Sequence, residues 1–143
     1  MKRLTATIGI VVWFSSMLPG CAELAITDAG KKDFESKCAA CHGSSGKGDG
    51  PQAALLATKP ADLTMLTKRN GGVFPAQRIR EIIDGRFEVE AHGPRTMPVW
   101  GREFEFDVRD LPKDAAQPFD YRESTVRNKI QALVDYLFQL QEK

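Results

Sequence analysis

The sequence predicts one small all-α domain, and two observations support this prediction. The chain has 143 residues, enough for a single core, and its composition of 42% apolar and 27% charged residues is that of a globular protein. Three segments, at residues 27–42, 75–84 and 124–143, show the apolar spacing and the end signals of helices. The net charge of +1, without a basic cluster, predicts that the chain does not bind nucleic acid.

The first predicted helix covers residues 27–42, with Thr27 as its N-cap. Gly30, Phe34 and Cys38 follow one another at intervals of four residues, which places them on one face of the helix. Because Gly30 lacks a side chain, a second helix can approach closely at this position.

The second predicted helix lies between Pro75 and Gly85, since proline favours the first turn of a helix and glycine the position after its end. Its three isoleucines, Ile79, Ile82 and Ile83, are expected to face inward.

The last predicted helix begins at Ser124, which can serve as its N-cap. Its apolar stripe consists of Val126, Ile130, Leu133, Val134, Leu137 and Leu140. The stripe predicts that this helix is buried along one side.

Residues 1–20 predict an export signal, a signal peptide that is not part of the fold. Lys2 and Arg3 precede a mainly apolar stretch from Leu4 to Leu18. The alternative is a membrane-spanning helix, but a span needs roughly twenty apolar residues. This stretch has about fifteen, of which four are serine or threonine. We therefore expect the protein to be exported.

Cys21 closes this signal in the letters LPGC at residues 18–21, which resemble the lipobox of bacterial lipoproteins apart from Pro19. We expect Cys21 to be lipidated and to become the new N-terminus, with residues 21–26 as a tether and 27–143 as the domain. The protein would then be anchored to a membrane on its periplasmic side. Cleavage a few residues later, which would discard Cys21, is the alternative.

The run Cys38-Ala39-Ala40-Cys41-His42 matches the C-x-x-C-H attachment sequence of a c-type haem. Two thiols one helical turn apart can add to the two vinyl groups on one porphyrin edge. A histidine directly after the second thiol is then placed to bind the iron. The small side chains of Ala39 and Ala40 let the backbone lie close to the ring. The sequence therefore predicts one covalently attached haem c.

Three other interpretations fit these residues less well. A zinc site needs four ligands, and no second C-x-x-C or H-x-x-H pair completes one. A dithiol redox pair would leave His42 unexplained, and no strand–helix–strand pattern surrounds it. The glycines of residues 43–50 lack the ending of a phosphate-binding loop, so we expect a tight turn beneath a flat ligand.

From about residue 27 to 142 the sequence resembles the class I c-type cytochromes, in particular small bacterial periplasmic members with one haem. The matching stretches are Cys38–His42, GKGDGP at 46–51, PADLT at 60–64 and MPVWG at 97–101. The resemblance implies a small cytochrome c fold, in which the N- and C-terminal helices cross around one covalently bound haem. In the family they cross near a glycine with an aromatic residue from each side. Gly30 and Phe34 match the first helix, and Leu133 and Tyr136 match the last. The helix at 75–84 is expected to wall one side of the haem.

A haem iron bound by one histidine needs a sixth ligand or an open position. After the signal only Met65 and Met97 remain, and Met97 lies in a segment rich in proline that cannot continue a helix. In the family the axial methionine occupies this place, so His42 and Met97 are the predicted ligands of the haem iron. Met65 is expected to pack in the core. His92 is the alternative sixth ligand, although a solvated loop histidine is the favoured interpretation.

Pro60 is predicted to orient His42. A histidine bound to a metal donates its other ring N–H to an acceptor, which fixes the direction of the ring. The resemblance implies that this acceptor is a proline carbonyl in a Pro-x-Leu stretch, which Pro60 begins. Pro51 is the alternative.

The segment at residues 101–123 is longer than a minimal family member needs. It is charged and contains Phe104, Phe106, Phe119 and Tyr121. We expect a loop over the haem edge, with a docking surface for a partner as the alternative.

These features predict electron transfer rather than catalysis. We expect a monohaem c-type cytochrome that passes single electrons between periplasmic redox partners, such as a dehydrogenase, an oxidase or another cytochrome. One alternative is the haem subunit of a dehydrogenase or oxidase complex. Another is a peroxidase, which would need the iron position that Met97 is expected to close.

Overall fold

The computed structural model of the protein describes residues 28–86, 97–107 and 119–142. Within these ranges the regular structure is helical and contains no strand, which confirms the all-α prediction. Among the helices of the described ranges, none combines the length and the apolar composition needed to cross a membrane.

Several predicted features lie outside the described residues. They are the signal at 1–20, Cys21, the tether at 21–26, the N-cap Thr27 and the alternative ligand His92. All of them stay predictions.

Five α-helices make up the described part of the domain. The first, α1, covers residues 28–42 and contains a π-helical turn at Phe34–Cys38 before its last turn at Ala39–His42. The others are α2 at Leu66–Arg69, α3 at Ala76–Asp84, α4 at Trp100–Asp107 and α5 at Phe119–Gln139. Short 3₁₀ turns lie at Ala53–Leu55 and Leu63–Met65.

The core lies along one side of α5, where α1, α3 and α4 pack against it. From α5 it receives Val126, Ile130, Leu133, Val134 and Leu137. Phe34 of α1 and Phe104 of α4 are fully buried beside them. The predicted apolar stripe is therefore confirmed, with Leu140 half-buried at its end. Since each large apolar side chain contributes about 1.5–3 kcal/mol when fully buried, α5 is the main organiser of the domain.

The predicted crossing of the first and last helices is confirmed at Gly30. A Cβ atom on Gly30 would lie 2.0 Å from the carbonyl oxygen of Ala132, so only glycine fits there. One turn further along, the rings of Phe34 and Tyr136 meet with centroids 5.3 Å apart. Backbone approach and aromatic contact together fix α1 on α5.

The predicted bounds of α3 are confirmed, because Pro75 precedes it and Gly85 ends it with φ of 63°. Ile79 and Ile83 are buried as expected. Ile82 differs, since it is 40% exposed. Adjacent residues of a helix point about 100° apart, so Ile82 cannot share one face with Ile83.

The predicted start of the last helix at Ser124 is wrong, because α5 already begins at Phe119. The Ser124 hydroxyl donates to the carbonyl oxygen of Tyr121 at 2.8 Å, and that of Thr125 donates to the same oxygen. A serine that bonds back to the preceding turn belongs to a helix interior.

The prediction of a loop over residues 101–123 is also wrong in the part that is described. Residues 101–107 belong to α4, and residues 119–123 form the first turn of α5. Phe104 holds α4 against the core, because its ring is fully buried there. The ammonium groups of Lys37 and Lys129 lie over this ring, 5.6 and 5.3 Å from its centroid. The charged residues of α4, which are Arg102, Glu103, Glu105 and Asp107, lie on the exposed side of the helix.

Candidate functional site

A cavity of about 450 Å³ lies between the end of α1, residues 56–61, α3 and the start of α4. All five residues predicted to belong to the haem site line it, namely Cys38, Cys41, His42, Pro60 and Met97. These residues come from three separate stretches of the chain, and the fold brings them to one place.

The end of α1 delivers three of these residues in one turn. The π-helical turn ends at Cys38, and the final α-helical turn contains Cys41 and His42. Gly43 then stops the helix with φ of 78°, and its N–H donates to the Ala39 carbonyl at 2.9 Å. Irregular π-turns of this kind occur often at functional sites, where they change the direction in which side chains project.

The two cysteines are free and half-buried. Burial raises the pKa of the Cys38 thiol to about 12, and the charge of nearby Asp33 acts in the same direction. Cys41 donates its thiol hydrogen to the side-chain oxygen of Gln52 at 3.8 Å. In the described ranges no three His, Cys, Asp or Glu side chains converge as the ligands of a metal ion do.

The imidazole of His42 is oriented by a backbone carbonyl. Its Nδ1 lies 3.0 Å from the carbonyl oxygen of Ala61. Because a carbonyl can only accept, Nδ1 carries the hydrogen, and Nε2 keeps the lone pair that a metal would need. The acceptor predicted from the sequence was the carbonyl of Pro60, one residue earlier, so this prediction is corrected. Pro60 itself lines the cavity.

The glycine-rich run forms the predicted tight turn, and its N–H groups satisfy the carbonyls at the end of α1. The N–H of Gly48 donates to His42 at 2.8 Å, that of Gly50 to Cys41 at 3.1 Å, and that of Gln52 to Ala40 at 2.8 Å. The last carbonyls of a helix have no partner within it, so this returning segment supplies them.

The turn is packed against the segment that orients His42. Gly48 has φ of 76°, and a Cβ atom on it would lie 2.3 Å from the carbonyl oxygen of Pro60. Glycine is therefore required at this position for both its conformation and its size.

Met97 is half-buried and packs against the hydrophobic core. Of the two methionines in the described ranges, Met97 lines the cavity, whereas Met65 lies in the 3₁₀ turn at Leu63–Met65. Met97 stands three residues before α4, and Pro98 and Val99 connect the two along the chain. The Val99 carbonyl accepts from the N–H of Arg102 at 3.0 Å.

The residues around the cavity fit a haem. Two thiols one turn apart, an imidazole with a free Nε2 and a thioether form the donor set of a covalently attached haem with two axial ligands. Leu56, Ile82 and Trp100 add apolar walls. Leu56 and Ile82 remain 37% and 40% exposed, as side chains that would cover an apolar ligand are.

An all-α domain that presents C-x-x-C-H at the end of its first helix, beside an apolar cavity, defines a c-type cytochrome, a class of proteins that bind haem and transfer electrons. The chain belongs to the family described as Cytochrome C oxidase, cbb3-type, subunit III, whose model matches residues 25–113 and therefore more than half of the chain. The match includes C-x-x-C-H and Met97, and it ends before α5. Comparison with curated proteins and with solved structures gave no match.

Sequence reasoning missed three contributors to this site. The Ala61 carbonyl was missed because the choice between adjacent carbonyls depends on one residue of register. Leu56 carries no motif. The helix of Ile82 was expected to wall one side of the haem, but Ile82 was grouped with the inward-facing Ile79 and Ile83 rather than singled out as the residue that lines the cavity.

Gly48→Ala tests the contact between the glycine turn and Pro60, with Gly71→Ala as the matched control. Gly71 also has a positive φ, of 68°, but a Cβ atom there would meet nothing within 4 Å. Both variants pay the backbone strain, and only Gly48→Ala must also displace a carbonyl. We expect its free energy of unfolding to fall by about 1–3 kcal/mol more than that of the control. Urea denaturation of the haem-loaded protein measures this difference, and equal losses would contradict it.

Proposed function

We propose that the protein is a monohaem c-type cytochrome that transfers single electrons between redox partners on the periplasmic side of a membrane. The observation that carries this proposal is the convergence of Cys38, Cys41, His42 and Met97 on one apolar cavity. Cys38 and Cys41 would hold the haem covalently, and His42 and Met97 would be the axial ligands of its iron. Pro60 would contact the haem as part of the cavity wall.

Bound haem would supply an iron that takes up and releases one electron. The chain's task is to keep both ligand atoms in place while the charge changes. His42 is fixed by its hydrogen bond to Ala61. Met97 packs against the hydrophobic core and is joined along the chain to α4 through Pro98 and Val99. A thioether opposite an imidazole also favours a higher reduction potential than two imidazoles do.

Export and anchoring are the second part of the proposal. The signal at residues 1–20 would direct the chain out of the cytoplasm, and a lipid on Cys21 would attach it to the membrane. Residues 21–26 would then act as a tether for the domain. The sequence pattern at residues 1–21 supports this part. A second argument is that an exported protein with an unpaired surface thiol at Cys21 would form intermolecular disulfides in an oxidising compartment, and a lipid on Cys21 would prevent this.

A second candidate function is that of a haem subunit within an oxidase complex. The description of the family, which names a subunit of a cbb3-type cytochrome c oxidase, favours it. The two functions differ in their partners, because a subunit stays with its complex whereas a carrier leaves it. Purification from detergent-solubilised native membranes separates them: co-migration with an oxidase through size exclusion supports the subunit.

Covalent attachment is tested by the mass of the denatured protein. We expect the mature chain to carry the mass of one haem. Cys38→Ala and Cys41→Ala should each retain at most one thioether bond and accumulate much less loaded protein, because the haem fills the cavity beside a small core. Wild-type protein without covalent haem would end the proposal.

Met97→Ala tests the sixth ligand, with Met65→Ala as the matched control. The Met97 variant should keep its haem, because both cysteines and His42 remain. Its reduction potential should fall by on the order of 0.1 V, and carbon monoxide should bind the reduced protein more readily. Met65→Ala should leave both properties unchanged. If Met97→Ala keeps the wild-type spectrum while His92→Ala alters it, His92 is the ligand.

Cys21→Ser tests the anchor. The variant should release a soluble cytochrome that still carries haem, because Cys21 is remote in sequence from the site. Incorporation of labelled fatty acid into the wild type, and its absence in the variant, measures lipidation directly. A soluble wild-type protein whose mature N-terminus lies beyond Cys21 would disprove the anchor without affecting the haem assignment.

A further inference from the structure

The guanidinium of Arg86 binds carboxylates from three parts of the fold. Its Nε and Nη2 donate to Asp84 at 2.6 and 2.9 Å, at the end of α3. Its Nη1 donates to Glu105 of α4 at 2.7 Å. Nη1 and Nη2 donate to both oxygens of Glu123 in α5, at 2.8 and 2.9 Å. Arg86 therefore joins α3, α4 and α5 through a set of residues that we call the Arg86 cluster: Asp84, Arg86, Glu105 and Glu123.

The centre of the cluster is shielded from solvent, whereas Glu123 and Glu105 at its rim are 35% and 51% exposed. The Arg86 side chain is 11% exposed and that of Asp84 is 13% exposed. Hydrogen bonds from Arg86 lower the pKa of Asp84 and of Glu123 below their usual range, and those same bonds raise the pKa of Arg86. Without the guanidinium, three carboxylates would face one another across a small space. Bidentate arginine–carboxylate pairs also fix orientation as well as distance.

Gly101 shows how closely α4 is held against this cluster. A Cβ atom on Gly101 would lie 2.2 Å from the Asp84 carboxylate and 2.5 Å from Nε of Arg86. The Arg86–Asp84 pair therefore rests on the bare backbone of the first turn of α4. Gly101 is buried, so no solvent layer separates the two.

The first turn of α4 carries Met97 with it. Met97, Pro98 and Val99 lead directly into Trp100, and the Val99 carbonyl accepts N–H groups from inside the helix. Since α4 has only eight residues, its position comes from tertiary contacts rather than from its own helical stability. Phe104 anchors it in the core, and the Arg86 cluster fixes it from the side of α3 and α5.

We propose that Arg86 is a positioning residue for the thioether of Met97: it clamps α4 to α3 and α5 so that Met97 stays within reach of the haem iron. The proposal rests on the proposed ligation by Met97. A thioether bond to iron is weak, so it does not by itself hold a displaced segment in place. The hydrogen bonds and ion pairs of Arg86 would instead keep α4, and with it Met97, in place.

The test measures how readily added imidazole replaces the thioether in the ferric, haem-loaded protein. Arg86→Gln removes the charge and the fork geometry, and Arg86→Lys keeps the charge alone. Gly101→Ala pushes α4 away from the cluster without removing any charge. The matched control is Arg80→Gln, because Arg80 lies in α3 and, like Arg86, bonds to a side chain of α5, that of Gln131. Met97→Ala defines the affinity for imidazole when no thioether competes.

We expect the apparent affinity for imidazole to rise about tenfold in Arg86→Gln and Gly101→Ala, because the thioether-bound state loses population. The charge-transfer absorption of thioether-bound ferric haem should weaken in the same variants. Arg80→Gln should match the wild type in both measurements, even if its free energy of unfolding falls, and Arg86→Lys should lie between. A purely structural role of Arg86 would change stability but not imidazole affinity.

Wild-type imidazole affinity in both Arg86→Gln and Gly101→Ala would overturn the proposal. If Arg86→Gln does not accumulate as loaded protein, Arg86→Lys and Gly101→Ala decide in its place by the same criterion. A different result would identify failure of the proposed ligation: Met97→Ala would then bind imidazole no more tightly than the wild type.

Discussion

The site depends on how the carbonyl groups at the end of α1 are satisfied. A helix leaves its last carbonyls without partners, and here the N–H groups of Gly48, Gly50 and Gln52 supply them. To do so, the backbone must return along the helix so closely that a Cβ atom on Gly50 would lie 2.5 Å from the Ala40 carbonyl. That return path carries the chain on to Ala61, whose carbonyl orients His42. The direction of the imidazole is thus a consequence of helix capping.

α5 holds both sides of this arrangement. Its C-terminal half receives α1 at Gly30, and a Lys129–Asp33 ion pair of 3.3 Å adds to the backbone contact. Just beyond its C-terminal end, the side chain of Gln141 accepts from the Thr67 N–H at 2.9 Å and donates to the Leu63 carbonyl at 2.8 Å. The segment that follows Ala61 is therefore tied to the same helix as α1. This explains why α5 is central to the shape of the cavity, although none of its residues from Tyr121 to Gln139 lines the wall.

Local chemistry made the cavity residues predictable from the sequence, and long-range geometry hid the rest. The C-x-x-C-H motif and the proline-flanked Met97 are recognisable in the sequence, because covalent attachment and loop rigidity each require a particular residue pattern. Gly30 could be predicted since a missing side chain on a helical face has few other uses. The helix α4 was missed because its charges dominate the local pattern, whereas its single buried anchor, Phe104, is recognisable only once the core exists.

The two proposed axial ligands are held by different kinds of interaction. His42 lies on a helix end that backbone hydrogen bonds close, and its neighbours Cys38 and Cys41 would add covalent bonds. Met97 instead depends on the placement of α4, which rests on one buried aromatic ring and on the charges around Arg86.

Under the proposed ligation, this difference predicts that Met97 is released more readily than His42. Backbone hydrogen bonds and covalent bonds resist a local rearrangement, since breaking them exposes buried carbonyl groups. An ionic clamp between side chains is weakened by the loss of a single charge. The position of His42 is therefore fixed by the backbone, whereas the position of Met97 depends on side-chain contacts between helices. Changes in ligation, and with them changes in reduction potential, are most accessible through the contacts of α4.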